Sequence, residues 1–587
     1  MDLFYGTSGP RDAHIAIVAE SWGREEEKKQ QPLVGVSGQL NDVILAECGL
    51  RRNDVFCTNV ISAHPADNDM CEYFYPTQEA KAGKLKDTFG LYPREILIKE
   101  MERLYEQLST VNPRVIIAYG NYALWALCYG IAKIKNDRGY KVPAGIMSWR
   151  GSLLAWDRSF RGNHPKTPVI PTIHPAAVQR QWHLKWLVQT DIKKRVLYIA
   201  KGHKPEEPYY DFTLRPSFGD TVAWINNAIS AGTKRWAVDI ETRKNHLACL
   251  CLAISEHRAI CIPFMCVEHP EGYFLPEQEH IVCQMLRFIF TNPDYEIVGQ
   301  FFGYDMQYIS KFLLCRPRCY FDTFVGHHLC WPGTPGGLAF LASIYNRYYR
   351  YWKDEGKEWD IHLPQEQWWR YNCIDGVNTW EASYRIEEQI RRCPRKQALA
   401  DGSTQTIFVD LTDRLREQME VFHLQFEMMQ FGIAIDKRAR AEMLLEVWLE
   451  MCDMEVWFEA VMPSDIAQRI KTKTGKSEWY SSQKQLCNFF YGELGIDPVT
   501  NRDTGAPRMD DDALQRIKVK LPVLRELCTK LQNYRSLSIF RGNFLTARLD
   551  RDGRMRCLFT QLPATFRWSS KENAFGGGTN LQTIPKG

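Results

Sequence analysis

The stretch that most constrains this chain is Trp236-Ala-Val-Asp-Ile-Glu-Thr242, a short apolar run that closes on two acids, Asp239 and Glu241. Side chains alternate between the faces of a β-strand, so residues i and i+2 point into the same space. Two carboxylates on one face repel, and a hard cation between them relieves the repulsion. A strand end with two solvated acids is the alternative, and on this stretch alone both readings stay open. Two later stretches bear on the choice. Val298-Gly-Gln-Phe-Phe-Gly-Tyr-Asp-Met306 brings Asp305 to a strand-to-helix junction. Tyr371-Asn-Cys-Ile-Asp375 sets a tyrosine and an acid one above the other if the segment is helical.

Taken in order, these three stretches resemble the DEDD 3′–5′ exonuclease domain in its tyrosine-bearing form. The resemblance implies that Asp239, Glu241, Asp305 and Asp375 are catalytic and hold two divalent ions, Mg or Mn, around a scissile phosphate. It also implies that Tyr371 orients the attacking water; a buried structural tyrosine is the alternative. The family's second motif carries Asn four residues before its Asp, and here that place is Phe301.

At 587 residues the chain has room for three or four domains. Hydrophobic residues make up 45% and charged residues 25%, the balance of a soluble globular protein. No apolar run approaches the ~20 residues of a membrane span, and Met1-Asp-Leu-Phe-Tyr5 lacks a secretory pattern. No membrane partner is therefore expected. The net charge of +4 says little about a nucleic-acid partner, which calls for local basic patches. The 18 cysteines form no CxxC pair, so a reduced chain without structural zinc is expected, in the cytoplasm, or the host's if a phage encodes it.

Near the N-terminus, apolar runs at 13–20, 54–61, 114–120 and 167–174 alternate with helical stretches, which predicts an α/β layered domain with its site at the strand C-termini. Glu20, Asn59 and His174 stand there. Ala19-Glu-Ser-Trp-Gly23, Pro32-Leu-Val-Gly35, Thr58-Asn-Val60 and His174-Pro175 resemble the uracil-DNA glycosylase superfamily, nearest its iron–sulfur family 4 enzymes. The resemblance implies that Asn59 reads a flipped base edge, His174 bonds a base carbonyl and Glu20 lies near the attacking water. The base-stacking phenylalanine is Leu33, and the proline of the first motif is Trp22. The family's cysteine is Ala63 and its N-terminal CxxC is missing, so no iron–sulfur cluster is expected. Three readings stay open for this domain: an active glycosylase, a base-sensing module without catalysis, and an architectural domain. Similar domains lead the chains of some bacteriophage DNA polymerases, which favours the second.

Lys201-Gly-His-Lys-Pro-Glu-Glu-Pro208 reads as a linker, and Pro394 to Gly402 as the next boundary. The expected domains are 1–205, glycosylase-like α/β/α; 206–395, RNase H-like α/β exonuclease; and 396–587, a mainly helical thumb with the start of a palm. His327 and His328 are read as core or surface histidines, because adjacent helical positions diverge by about 100°. The run Tyr345 to Trp352 interleaves rings with arginines, as a platform for unpaired bases or as a packed helix face.

Phe431-Gly-Ile-Ala-Ile-Asp436, Ser481 to Leu486, Thr504 to Pro507, Leu524 to Ser536 and Asp552 to Arg556 resemble, in order, segments of family A DNA polymerases. Thr565-Phe-Arg-Trp-Ser-Ser570 and Asn580-Leu-Gln-Thr-Ile-Pro585 continue the series, with Phe566 where the family has glycine. The resemblance implies that Arg567, Asn580, Gln582 and Arg535 contact DNA, with Lys473, Lys476 and Arg541 as phosphate contacts or as solvated thumb charges. The family's metal-binding palm aspartates have no counterpart before Gly587. The chain is thus expected to be the front part of a bacteriophage family A DNA polymerase, with polymerisation needing a C-terminal part on this or another chain. The leading expectation is a replication enzyme with proofreading 3′–5′ exonuclease activity on primer–template and single-stranded 3′ ends. The alternatives are a DNA-binding scaffold and a base-excision module.

Overall fold

The computed structural model describes residues 2–128, 131–156, 166–358, 360–399, 402–474, 479–501, 505–561 and 563–584. Of the thumb lysines, Lys476 and the side chain of Lys473 lie outside the described residues. The chain divides into two compact units, one of residues 1–302 and 315–419, the other of 303–314 and 420–587.

Among the described residues the first unit contains two large sheets, beside two antiparallel pairs, Lys133–Asp137 with Tyr140–Ala144 and Cys393–Ala398 with Thr404–Val409. The N-terminal lobe is built on β1 (Ile15–Ser21), β2 (Val55–Ile61), β3 (Val115–Tyr119), β4 (Leu154–Trp156) and β5 (Thr167–Thr172), in the order β2-β1-β3-β5-β4. All the pairings are parallel except β4 with β5. Strands covered on both faces need apolar residues at every position. Ile15, Ile17 and Ala19 accordingly enter one core layer, and Ala16 and Val18 the other. Helices α1 (Glu95–Val111), α2 (Gly120–Leu127), α3 (Pro175–Arg180) and α4 (Lys185–Asp191) belong to this lobe. A π-turn, Ile192–Val196, continues α4.

The second sheet contains β6 (Asp211–Thr213), β7 (Arg235–Arg243), β8 (His246–Ala253), β9 (Arg258–Pro263), β10 (Glu296–Gly299) and β11 (Phe321–Asp322), in the order β11-β10-β7-β8-β9-β6. Helices α5 (Leu338–Tyr345), α6 (Lys353–Glu358) and the long α7 (Gln365–Arg391) follow. Small residues let α7 lie close to the sheet: Ala237, Cys249, Cys251 and Cys261 share a core with Trp369, Cys373 and Val377 of α7. At Gly376 a Cβ would lie 2.4 Å from Cys251 Sγ, so only glycine permits this approach. Arg235 anchors the start of β7 to Glu296 and to Glu387 of α7, each at 2.7 Å.

The second unit is mainly helical. Helices α8 (Lys437–Val461), α9 (Asp511–Lys520) and α10 (Arg525–Phe540) enclose a core that includes Met451, Phe458, Tyr480, Phe490, Leu514 and Leu531. Two short antiparallel pairs, Ile433–Ala434 with Arg554–Met555 and Cys557–Thr560 with Ser569–Glu572, complete it. The helix Gly303–Leu313 groups here: Tyr308 donates to the Ala574 carbonyl at 2.8 Å, and the Gln307 side chain accepts from Ala574 N–H at 3.3 Å. No helix among the described residues is long and apolar enough to cross a membrane.

Candidate functional site

Strand β7 and helix α7 bring three acids together. Asp239 and Glu241 share one face of β7, opposite Cys251 and Cys249 of β8, and Asp375 comes from the third turn of α7. Each offers a carboxylate oxygen, and these oxygens lie within 4.8 Å of one another. Asp239 and Glu241 are partly buried, whereas Asp375 is 2% exposed. Burial, then the neighbouring Asp375 carboxylate, push the Glu241 carboxyl up to about 8. The set of hard oxygen donors in that proximity, with charge held out of water, fits divalent cations of the Mg or Mn kind. Asp305, in the first turn of the helix Gly303–Leu313, is buried and is not one of the clustered three.

Four further side chains fix this cluster. Asn372, fully buried one residue after Tyr371, donates from Nδ2 to Asp239 Oδ2 at 2.7 Å. Its Oδ1 accepts from the thiols of Cys249 and Cys261, at 3.7 and 3.5 Å. Trp352 Nε1 donates to Asp375 Oδ1 at 2.6 Å, and Lys353 Nζ donates to Asp375 Oδ2 at 2.5 Å and to Tyr371 OH at 3.2 Å. Trp368 bonds Glu241 and opposes the rise in its pKa. Burial pulls the Lys353 ammonium down, yet Asp375, Tyr371 and Asp239 together hold it above its ordinary value. The Tyr371 ring lies against α6, where a Cβ on Gly356 would come within 2.6 Å of Tyr371 Cζ. Burial, then Asp375, push the Tyr371 hydroxyl upward, so it remains protonated.

None of these supporting residues follows from the spacing of acids in the sequence. Asn372 alone carried a signal, because it sits inside the Tyr371–Asp375 motif. Phe301 has φ 51°, a left-handed conformation that asparagine tolerates better than phenylalanine, and its ring stacks on Phe324 at 4.2 Å. His327 and His328 are buried; His327 bonds Tyr345 OH and Thr334 Oγ1 at 2.9 and 2.8 Å, as a core histidine. The run Tyr345 to Trp352 is neither a helix beyond Tyr345 nor an open platform. Tyr345, Tyr349, Tyr351 and Trp352 are buried, Tyr345 in the core it shares with α7 and the other three in a core shared with the N-terminal lobe.

A second group of polar residues lies in the N-terminal lobe. Glu20, next to last in β1, accepts from Tyr122 N–H at 3.4 Å at the start of α2; burial pushes its carboxyl up to about 7. At Gly120, with φ +86°, a Cβ would stand 2.3 Å from Glu20 Oε1, so the close approach requires glycine. Asn59 is 1% exposed and donates from Nδ2 to the Ser21 carbonyl at 2.9 Å, while its buried Oδ1 has no partner among the described residues. His174 caps α3, its Nδ1 accepting from Ala176 N–H at 3.1 Å. That bond assigns the ring proton to Nε2, a donor. Burial, then Arg180, pull His174 down to about 4, so it is neutral at pH 7. Leu33 is buried in the core with φ 55°, and its carbonyl accepts from Arg52 at 2.6 Å.

In the second unit Arg567 and Gln582 are exposed. Asn580 Oδ1 accepts from Ser570 Oγ and Gln582 N–H, at 2.6 and 3.1 Å. Arg535 is partly buried and pairs with Asp511 at 3.8 Å. Phe566 has φ 57°, so this turn keeps the left-handed conformation that glycine would adopt freely.

Residues 6–197 match the uracil DNA glycosylase superfamily, and residues 224–390 match a 3′-5′ exonuclease family. The chain is 31% identical over 195 residues to the type-4 uracil-DNA glycosylase of Thermotoga maritima, covering 33% of this chain and 81% of that protein. It is 29% identical over 186 residues to the enzyme of the same description from Archaeoglobus fulgidus, covering 32% and 77%. Among solved structures it is similar to the POL domain of Pol1 from M. smegmatis in complex with DNA primer-template and dNTP. There the TM-score is 0.42 and the identity 20%, over 64% of this chain and 56% of that one. The order of domains is thus a glycosylase-like α/β domain, an exonuclease domain and a mainly helical region. Through its N-terminal third, the chain belongs to the uracil-DNA glycosylase superfamily, and it carries a 3′-5′ exonuclease domain behind it.

Proposed function

We propose that the chain is a DNA-replication enzyme whose exonuclease site removes nucleotides from DNA 3′ ends with Mg or Mn. The observation that carries this reading is the convergence of Asp239, Glu241 and Asp375, with their oxygens within 4.8 Å, in a domain that matches 3′-5′ exonucleases. Asp239, Glu241 and Asp375 would hold the ions, with Asp305 added from the order of the motifs. Such ions, when bound, supply an activated water and charge compensation for the departing 3′ oxygen. Asn372 and Trp352 keep the carboxylates aimed, and Tyr371, protonated, offers its hydroxyl to orient water beside the phosphorus. Water oxygen bonds to phosphorus, the bond to the 3′ oxygen breaks, and a nucleoside monophosphate leaves. Removal of a mismatched primer end would be the use of this reaction in proofreading.

The second unit would hold primer–template through Arg567, Asn580, Gln582 and Arg535, with polymerisation dependent on palm carboxylates from elsewhere. The N-terminal lobe would recognise a base. Its unpartnered Asn59 Oδ1 and the Nε2 donor of His174 are complementary to a pyrimidine edge, and Leu33 in place of an aromatic ring favours sensing over excision. Incubation with uracil-containing DNA tests this: retention without an abasic product supports sensing, and an abasic product reassigns the lobe as a glycosylase. The exonuclease reading predicts metal-dependent release of 3′ mononucleotides, lost in Asp239→Ala.

A further inference from the structure

The residues that brace Asp375 and Tyr371 lie at the end of a strap that the glycosylase-like lobe holds along its whole length. Ser343 of α5 receives a bond from Arg150 at 2.8 Å, and Arg150 is itself locked in a buried ion pair with Asp191. The carbonyls that end α5 are met by N–H donors of the lobe's basic side chains. Lys194 donates to the Ile344 carbonyl at 2.5 Å, and Arg195 donates to the carbonyls of Asn346, at 2.9 Å, and Arg347. Helix ends leave such carbonyls without intrahelical partners, and side-chain N–H donors satisfy them. Leu153 N–H then bonds the Tyr349 carbonyl at 2.8 Å, Tyr349 OH the Ser148 carbonyl at 3.0 Å, and Tyr351 N–H donates to Ser152 Oγ at 3.2 Å. Trp149 packs edge-on to Tyr351 at 5.0 Å, and Lys133 pairs with Asp354 at 2.7 Å. Between these last two tethers stand Trp352 and Lys353, the two residues that bond Asp375.

We propose that the glycosylase-like lobe is a working part of the exonuclease site, holding the strap 343–354 so that Trp352 and Lys353 position Asp375 and Tyr371. This rests on the exonuclease reading given above. The strap has no regular hydrogen-bonding of its own between Asn346 and Trp352; α7 ties its start, through Asn378 to Asn346 and Glu381 to Arg347 N–H, and beyond Arg347 its conformation is set by the lobe that covers it. A carboxylate whose two oxygens are both directed by neighbours is aimed only as well as those neighbours are fixed. Trp352 and Lys353 are therefore positioning residues, and Arg195 and Tyr349 act through them from a distance. Base recognition in the lobe and hydrolysis at the 3′ end would then share one mechanical element.

The test is Mn²⁺ affinity of the full chain, read from the electron paramagnetic resonance of free Mn²⁺, beside hydrogen exchange of residues 346–353. Arg195→Ala should speed exchange in the strap and weaken Mn²⁺ binding about tenfold, in the range of supporting-residue losses at metal sites. Arg195→Lys should recover part of both. Hydrolysis of a single-stranded oligonucleotide should lose kcat with KM unchanged. Tyr349→Phe, which deletes one hydroxyl, is the milder variant and should move the same readouts in the same direction if Arg195→Ala fails to fold. Faster strap exchange with unchanged Mn²⁺ affinity overturns the proposal, and so does strap exchange that neither variant alters. Should the wild type bind Mn²⁺ at Asp239 yet release no nucleotide, the exonuclease reading fails while the affinity comparison still decides the role of the strap.

Discussion

Asn372 Nδ2 bonds Asp239 Oδ2 at 2.7 Å, tying the N-terminal third of α7 to the strand that carries the first acidic pair. The bond fixes one oxygen of Asp239, and the two thiols on Asn372 Oδ1 fix which way the amide faces. Asn372→Leu keeps the volume and removes the bond. The expected outcome is a 10- to 100-fold loss of Mn²⁺ affinity or kcat with little change in fold. Titration calorimetry with Mn²⁺ and steady-state kinetics on a short oligonucleotide check it; wild-type values for both would assign Asn372 to packing alone.

Gly356 bears on the tyrosine instead of the acids. A methyl group there meets the Tyr371 ring at 2.6 Å, well inside van der Waals contact, so the ring or α6 must shift. Gly356→Ala should lower kcat by a factor close to that of Tyr371→Phe while leaving Mn²⁺ affinity near that of the wild type. Kinetics of the two single variants and the double variant would show overlap, not addition, if both act on the same hydroxyl.

Metal affinity should depend on pH through Glu241. Its carboxyl sits at about 8, so below that pH a proton must leave before a cation can be held. Mn²⁺ affinity should therefore rise about tenfold per pH unit on the way up to about 8 and level off above it. Glu241→Gln should bind more weakly and show a flatter profile. An affinity independent of pH between 6 and 8 in the wild type would contradict this account.

In the glycosylase-like lobe the sign runs the other way for stability. Glu20 is raised from 4.5 to about 7 in the fold, so the folded chain favours its protonated form. Its contribution is fully present below about 4.5 and is lost as pH climbs to about 7. His174, lowered to about 4, opposes this, since stability is lost as pH falls from 6.5 toward 4. Glu20→Gln removes only the first dependence. It should stabilise the lobe at pH 8 by on the order of 1–2 kcal/mol, allowing for residual solvent contact, and by little at pH 4.5. Thermal melts of both proteins across that range measure the difference.

The sheet frames were legible because parallel strands covered on two faces must be apolar throughout, which is the pattern around Ile17, Cys57 and Ile117. Asp239 with Glu241 and Tyr371 with Asp375 were legible because each pair obeys the period of its own element. The strap was not. Rings interleaved with arginines suit a solvent-facing stacking surface and a covered segment equally, and only the neighbouring lobe decides between them. Lys353 and Trp352 were invisible for the same reason, since their bonds to Asp375 depend on a tertiary contact with no sequence period. Phe301 and Phe566 hide a different feature: both adopt left-handed backbone where asparagine or glycine would be the easier choice.

The most direct measurement of the central claim is digestion of a 5′-labelled primer–template by the purified chain with Mg or Mn, beside Asp239→Ala. The account predicts a ladder that shortens from the 3′ end and disappears with chelator and in the variant. A folded wild type that leaves the primer intact with either ion, or an Asp239→Ala protein that degrades it equally well, would contradict the assignment of this site.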